Sequence, residues 1–196
     1  MLHDDEQAVF AERRGRPHVE LVSFVLDENL RNARQVVDTF RPLIHAEVTA
    51  RAGEGFSVEF VNVTDGDVTG AADDVVVDLV ENRGWLPEQV ALVTTAHRHP
   101  VQIERDGGKS TYWSGLWTDN DILDATVASF KGLERAAIVL AVDGFHDGVD
   151  PAQVLYVGMS GARDLLIIVG SADTLALAGE PKLMKRLTRA PSSTRA

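Results

Sequence analysis

The sequence predicts an α/β protein, with a mainly parallel sheet covered by helices on both faces. Three observations carry that reading. The runs 90–94, 136–142 and 165–169 are apolar with little polar alternation, the pattern of strands buried on both faces. Segments with apolar residues at helical spacing stand between them, and such alternation gives strand–helix–strand units. The chain has 196 residues, 44% hydrophobic and 25% charged, enough for one large domain with a substantial core.

Taken in order, 18–24 alternates apolar and polar residues as a strand does. Within 29–44, Val36, Val37, Phe40, Leu43 and Ile44 recur at helical spacing. A second strand is expected over 56–63, followed by turn residues Asp65, Gly66 and Asp67. The segment 71–82 reads as a helix, with Gly84 placed to end it. After the strand 90–94, the stretch 97–120 reads as irregular and carries Tyr112, Trp113 and Trp117. The two tryptophans, four apart, read as packing residues before base-stacking ones. Strands follow over 122–127 and 136–142. The segment 151–163 reads as a helix with Asp150 as N-cap and Pro151 at the first helical position. A strand over 165–169 and a short helix over 172–177 complete the pattern. Ligands of such sheets sit at the carboxyl ends of the strands.

Composition excludes several function classes. Lys plus Arg is 19 against 30 for Asp plus Glu, a net charge of −11, which argues against binding nucleic acid by bulk charge alone. No cysteine is present, so thiolate metal sites, thiol catalysis and disulfides are excluded. The N-terminus is acidic through Asp4, Asp5 and Glu6 where a signal peptide is basic. The longest apolar runs are too short to cross a bilayer, so a cytoplasmic protein with no membrane partner is expected. Lys182, Lys185, Arg186, Arg189 and Arg195 make 181–196 a basic segment, expected to be a flexible tail.

Three local patterns are weaker than they look. Gly107 to Thr111 resembles the end of a phosphate-binding loop, but Ile103 stands where its first glycine belongs. His97 and His99 could share a metal, yet no third ligand is evident, and no metal site is expected. Asp143 and His146 lie beyond a strand end without a serine nucleophile beside them, so they read as a connecting loop.

Four polar segments remain. Asp4 to Gln7 precedes a short apolar pair, and Asn29, Leu30, Arg31 and Asn32 follow a strand. Thr126 to Glu134, including Lys131, Gly132 and Leu133, links two apolar strands. Tyr156 to Asp164 ends a helix just before a strand. In this order they resemble motifs III, IV, V and VI of the second RecA-like domain of UvrD/Rep-type superfamily 1 DNA helicases. The family patterns are Asp-x-x-Gln, Asn-Tyr-Arg-Ser, Thr-x-His-x-x-Lys-Gly-Leu-Glu and Tyr-Val-Ala-Met-Thr-Arg-Ala-Arg. Each motif is common alone; their order carries the resemblance, which runs from residue 4 to about Gly170.

The resemblance implies a RecA-like fold, the second domain of a P-loop NTPase, over 18–180, with 1–17 holding the end of motif III and a linker. It implies Arg31 at the γ-phosphate, Gln7 as a γ-phosphate sensor, Lys131 and Gly132 as a close backbone approach to nucleotide, and Glu134 near its sugar. Thr126, His97 and Arg98 are implied on the DNA side. The motif VI arginine falls at Gly161 and the motif V histidine at Ala128, leaving Arg163 as the remaining candidate arginine finger. No Walker A loop precedes Asp4. ATP and Mg are therefore expected on a first RecA-like domain outside this chain, and the chain is expected to be a C-terminal helicase fragment, inactive alone. The implied partners are single-stranded DNA and that first domain, with the motif segments converging on one face of the sheet. The alternative is a non-catalytic, helicase-derived interaction or DNA-binding module.

Overall fold

A computed structural model describes residues 28–45, 47–64, 66–105, 120–189 and 192–195. Outside them lie the expected strand 18–24, the motif III residues Asp4 to Gln7, the Gly107 to Thr111 turn, and Trp113 and Trp117.

Strand β1 (Glu28–Asn29) pairs in parallel with β2 (Thr49–Ala50), and helix α1 (Arg34–Phe40) with a 3-10 turn (Arg41–Leu43) lies between them. Strand β3 (Glu59–Val63) leads to α2 (Val68–Glu81) and then β4 (Val90–Thr94). Helix α3 (Pro100–Arg105), β5 (Leu123–Thr126), α4 (Val127–Phe130) and β6 (Arg135–Val142) follow. The last third contains α5 (Pro151–Ser160), β7 (Ala162–Gly170), α6 (Ala172–Ala176), α7 (Pro181–Leu187) and β8 (Ser192–Arg195).

Six strands form one sheet in the order β5-β4-β6-β7-β3-β8, with every pairing parallel. The fold class is therefore the one expected. Parallel neighbours need crossovers, and α2, α5 and the short α4 provide them on opposite faces of the sheet. Side-chain alternation divides the core in two. Leu92, Val139, Ile167 and Val169 face Val75, Val76 and Leu79 of α2. Val93, Ile138, Leu140 and Ile168 face the other way, onto Val36, Phe40, Leu155, Leu183 and Leu187. Both faces of β4, β6 and β7 are thus dry, which is why these strands read as unbroken apolar runs.

Several elements differ from the sequence reading. The helix expected over 29–44 starts only at Arg34, because Asn29 Oδ1 accepts from the backbone N–H of Arg31 (3.0 Å) and Asn32 (2.8 Å) and folds 29–32 into a turn. The helix expected over 151–163 stops at Ser160, and β7 begins at Ala162. Helix α3 lies inside the stretch read as irregular. The tail expected to be flexible also needs correction. Residues 181–187 are α7, whose Leu183 and Leu187 sit four apart and pack in the core; only the basic side of this amphipathic segment stood out as a pattern.

Candidate functional site

At the amino edge of β6 and β7, the turn carrying Arg31 is stitched to the α5–β7 junction. Asn32 is fully buried, and its Nδ2 donates to the carbonyls of Ser160 (2.7 Å) and Ala162 (2.6 Å). Asn29 Nδ2 donates to Asn32 Oδ1 at 2.8 Å, and Ala33 N–H donates to the Arg163 carbonyl at 2.7 Å. A buried amide satisfied on both ends is a specific anchor, since leaving either group unpaired costs about 1–3 kcal/mol.

This anchor brings Arg31 and Arg163 to either side of one acid. Arg31 Nε lies 3.9 Å from Glu134 Oε2, and Arg163 Nη1 lies 3.9 Å from Glu134 Oε1. Charge-assisted hydrogen bonds are about 2.7–2.9 Å long, so one carboxylate holds two guanidinium groups loosely. The side chains are 38%, 50% and 44% exposed for Arg31, Arg163 and Glu134. Such a cluster can exchange its weak internal pairing for an incoming phosphate without burying an unpaired charge.

Gly161, at the expected finger position, does not face this cluster. A Cβ built there would stand 2.3 Å from Phe130 Cε1 and 3.1 Å from Ile138 Cδ1. Both contacts are buried core side chains, so position 161 points inward. Arg163, at the start of β7, carries the exposed cation at this edge instead.

Lys131 and Gly132 form the exposed turn leading into β6. Gly132 adopts φ +85°, and nothing lies within 4 Å of where a Cβ would be. Within the chain its conformation serves the left-handed turn that leads into β6.

The expected DNA-side residues lie at the opposite edge, beyond the carboxyl ends of the strands. The described motif segments therefore divide between two edges and do not converge on one face, because the segment 127–134 runs from Thr126 at the carboxyl edge back to Glu134 at the amino edge, where Arg31 and Arg163 lie. Thr126 ends β5 and caps α4, with its Oγ1 accepting from Ser129 N–H at 3.3 Å. After β4, the loop 95–97 wraps the carboxylate of Asp143. Asp143 Oδ1 accepts from Thr95 N–H (3.0 Å), Thr95 Oγ1 (3.1 Å) and Ala96 N–H (2.8 Å), and Oδ2 accepts from His97 N–H (2.8 Å). His97 Nδ1 lies 2.9 Å from the same Oδ2, with the ring 78% exposed. An ionised carboxylate only accepts, so Nδ1 carries the proton and Nε2 is the acceptor of the neutral ring. Arg98 is exposed beside it.

His97 and His99 do not share a ligand. His99 is buried and pairs through Nε2 with Asp73 Oδ1 at 3.0 Å, with Asp124 Oδ1 3.7 Å from Nδ1. Among the described residues, no group of three His, Cys, Asp or Glu side chains is placed to hold a metal ion. Gln7 lies outside the described residues. Two anchoring residues escaped the sequence reading of roles: Asn32, named only as part of a motif, and Asp143, read as part of a connecting loop. An acid immediately after a buried strand's apolar run was the available signal for Asp143.

Neither the known protein-family profiles nor the curated proteins include a match to this chain. Among solved structures, the chain is similar to the crystal structure of the C-terminal domain of a possible DNA helicase from Lactobacillus plantarum WCFS1. The two are 16% identical with a TM-score of 0.50, over 85% of this chain and 98% of that one. The fold is RecA-like. In this RecA-like chain, one sheet edge carries the Arg31–Glu134–Arg163 cluster, and the other carries Thr126, His97 and Arg98. Among the described residues, no helix is long and apolar enough to cross a membrane.

Proposed function

We propose that the chain is the second RecA-like domain of a UvrD/Rep-type superfamily 1 DNA helicase, contributing to ATP hydrolysis at its amino edge and to single-stranded DNA translocation at its carboxyl edge. The observation that carries this reading is the meeting of Arg31, Glu134 and Arg163, which come from three separate motif segments, in one half-exposed cluster. The fold likeness to one domain of a possible DNA helicase supports the same reading.

The cluster suits an anionic nucleotide whose phosphates and Mg rest on a first RecA-like domain, where the phosphate loop of this family lies. Bound there, ATP with Mg supplies the transferable phosphoryl group and neutralises much of its charge. Arg31 and Arg163 then orient the terminal phosphate and face the charge that develops on it. Glu134, relieved of its arginines, accepts from a sugar hydroxyl. At the far edge, Thr126, His97 and Arg98 follow the DNA strand, and changes at one edge reach the other through α4 and α5.

The test is DNA-stimulated ATP hydrolysis by the protein that joins this chain to a phosphate-loop domain. Arg163→Ala should lower turnover by about 10³-fold or more, the usual effect of losing an arginine finger. Arg31→Ala should lower it as well. Unchanged turnover in both variants rejects the nucleotide role of this edge. Gly161 facing the core and Ala128 in place of a DNA-contacting histidine favour the second reading, a non-catalytic module. Absence of any hydrolysis alongside intact DNA binding selects it.

A further inference from the structure

Among the described residues, a concentration of positive charge lies away from both edges. The chain carries −11 overall, yet a cleft of about 750 Å³ between the end of α1 and α7 is lined by Arg41, Lys182, Lys185, Arg186 and Arg189, against two acids, Asp38 and Glu180. The sequence explains the arrangement. In α7, Leu183 and Leu187 lie on the core side, and Lys182, Lys185 and Arg186, with Arg189 in the turn that ends the helix, recur at spacings of three, four and seven on the other. Arg41 reaches in from the turn after α1. Asp38 Oδ1 pairs with Arg41 Nη1 at 2.8 Å, and Asp38 Oδ2 with Arg186 Nη2 at 3.1 Å. One acid thus holds both guanidinium groups in place and leaves the cleft with a surplus of positive charge.

From this geometry we propose that the cleft binds the phosphate backbone of nucleic acid, as a contact surface separate from Thr126, His97 and Arg98. The lining favours phosphate over a protein partner. Its apolar side chains are Pro42 and Ile44 alone, whereas protein interfaces gain their affinity from buried aromatic and aliphatic anchors. No aromatic side chain lines the cleft to stack on a base, so recognition is by charge and independent of sequence. The cations from Lys182 to Arg189 span about 10 Å along α7 and the turn that ends it. Successive phosphates on one strand of a duplex are about 3.4 Å apart along its axis, so this row covers roughly three steps.

The experiment is fluorescence anisotropy of labelled oligonucleotides, a thymidine 20-mer and a 20-base-pair duplex, titrated with the whole chain over a range of salt concentrations. Lys182→Glu, Lys185→Glu and Arg189→Glu combined should weaken binding at least about tenfold at low salt. They should also lower the slope of log affinity against log salt by about 2–3. The same three positions changed to alanine should give a smaller loss in the same direction, with the thermal midpoint unchanged in both variants. Wild-type affinity and slope in these variants overturn the proposal, as does a loss confined to His97→Ala and Arg98→Ala. A 20-residue polyglutamate that binds more tightly than either oligonucleotide overturns it in favour of an acidic protein partner. None of these readouts involves nucleotide hydrolysis, so the proposal stands or falls apart from the function of the Arg31 edge.

Discussion

Glu134 holds two arginines at 3.9 Å each, and that shared, half-exposed arrangement makes its removal informative. Glu134→Gln removes the one charge between them while keeping its shape, so Arg31 and Arg163 repel with less compensation. Because the pairs are exposed, the stability change should be small, within about 1 kcal/mol, measurable by urea denaturation. A loss of several kcal/mol would mean that the cluster is structural. Gly161 gives the opposite expectation. Arginine there has to displace Phe130 and Ile138, and overpacking of a tight core costs about 1–3 kcal/mol or more. Gly161→Arg should lower the thermal midpoint by several degrees and should not raise ATP hydrolysis. Normal stability together with faster turnover would show that position 161 can reach the nucleotide after all.

At the scale of elements, the loop 95–97 depends on Asp143. Asp143→Ala leaves the N–H groups of Ala96 and His97 without this acceptor, while Thr95 N–H keeps the Ala141 carbonyl. The loss should be on the order of 3 kcal/mol, seen as a lower urea midpoint, with faster hydrogen exchange confined to this loop if the domain stays folded. Helix α7 makes a second elementary test. Leu187→Ala removes a core side chain that is 1% exposed and should cost about 2–5 kcal/mol. An effect under 0.5 kcal/mol would mean that α7 is detached in solution and that the basic cleft does not persist.

At the scale of the whole molecule, the amino edge offers Arg31 and Arg163 with the acids Glu134 and Asp164, and no phosphate-cradling loop among the described residues. The chain alone should therefore bind ATP weakly. Calorimetry should find no binding at micromolar concentrations; sub-micromolar affinity would reject the division of labour between two RecA-like domains. The two edges also sit at opposite ends of the strands, and the segment 127–134, which holds α4, joins them with α5 beside the strands themselves. Both helices pack tightly, as the contact of Gly158 with Leu140 illustrates: a Cβ there would come within 2.7 Å of Leu140 Cδ1. Tight packing favours rigid transmission over local give.

The parallel sheet was legible in the sequence because burial on both faces removes polar alternation, and β4, β6 and β7 write that condition directly as Val, Ile, Leu and Ala. The cap of α5 was legible for a similar reason, since Asp150 acts on an N–H group two residues away; Asp67, read as a turn residue, caps α2 in the same way, and that helix starts at Val68 instead of 71. Arg31, Glu134 and Arg163 could be named from their motifs, but their meeting depends on Asn32 reaching Ser160, 128 residues along the chain. No local pattern encodes such a contact. Helix α7 was misjudged because its basic residues are visible one by one, whereas Leu183 and Leu187 acquire meaning only against α1 and the turn that follows it. The inward direction of Gly161 and the division of the motifs between two edges are likewise tertiary facts. They follow from which way a crossover runs through space, a quantity that neither residue type nor spacing contains.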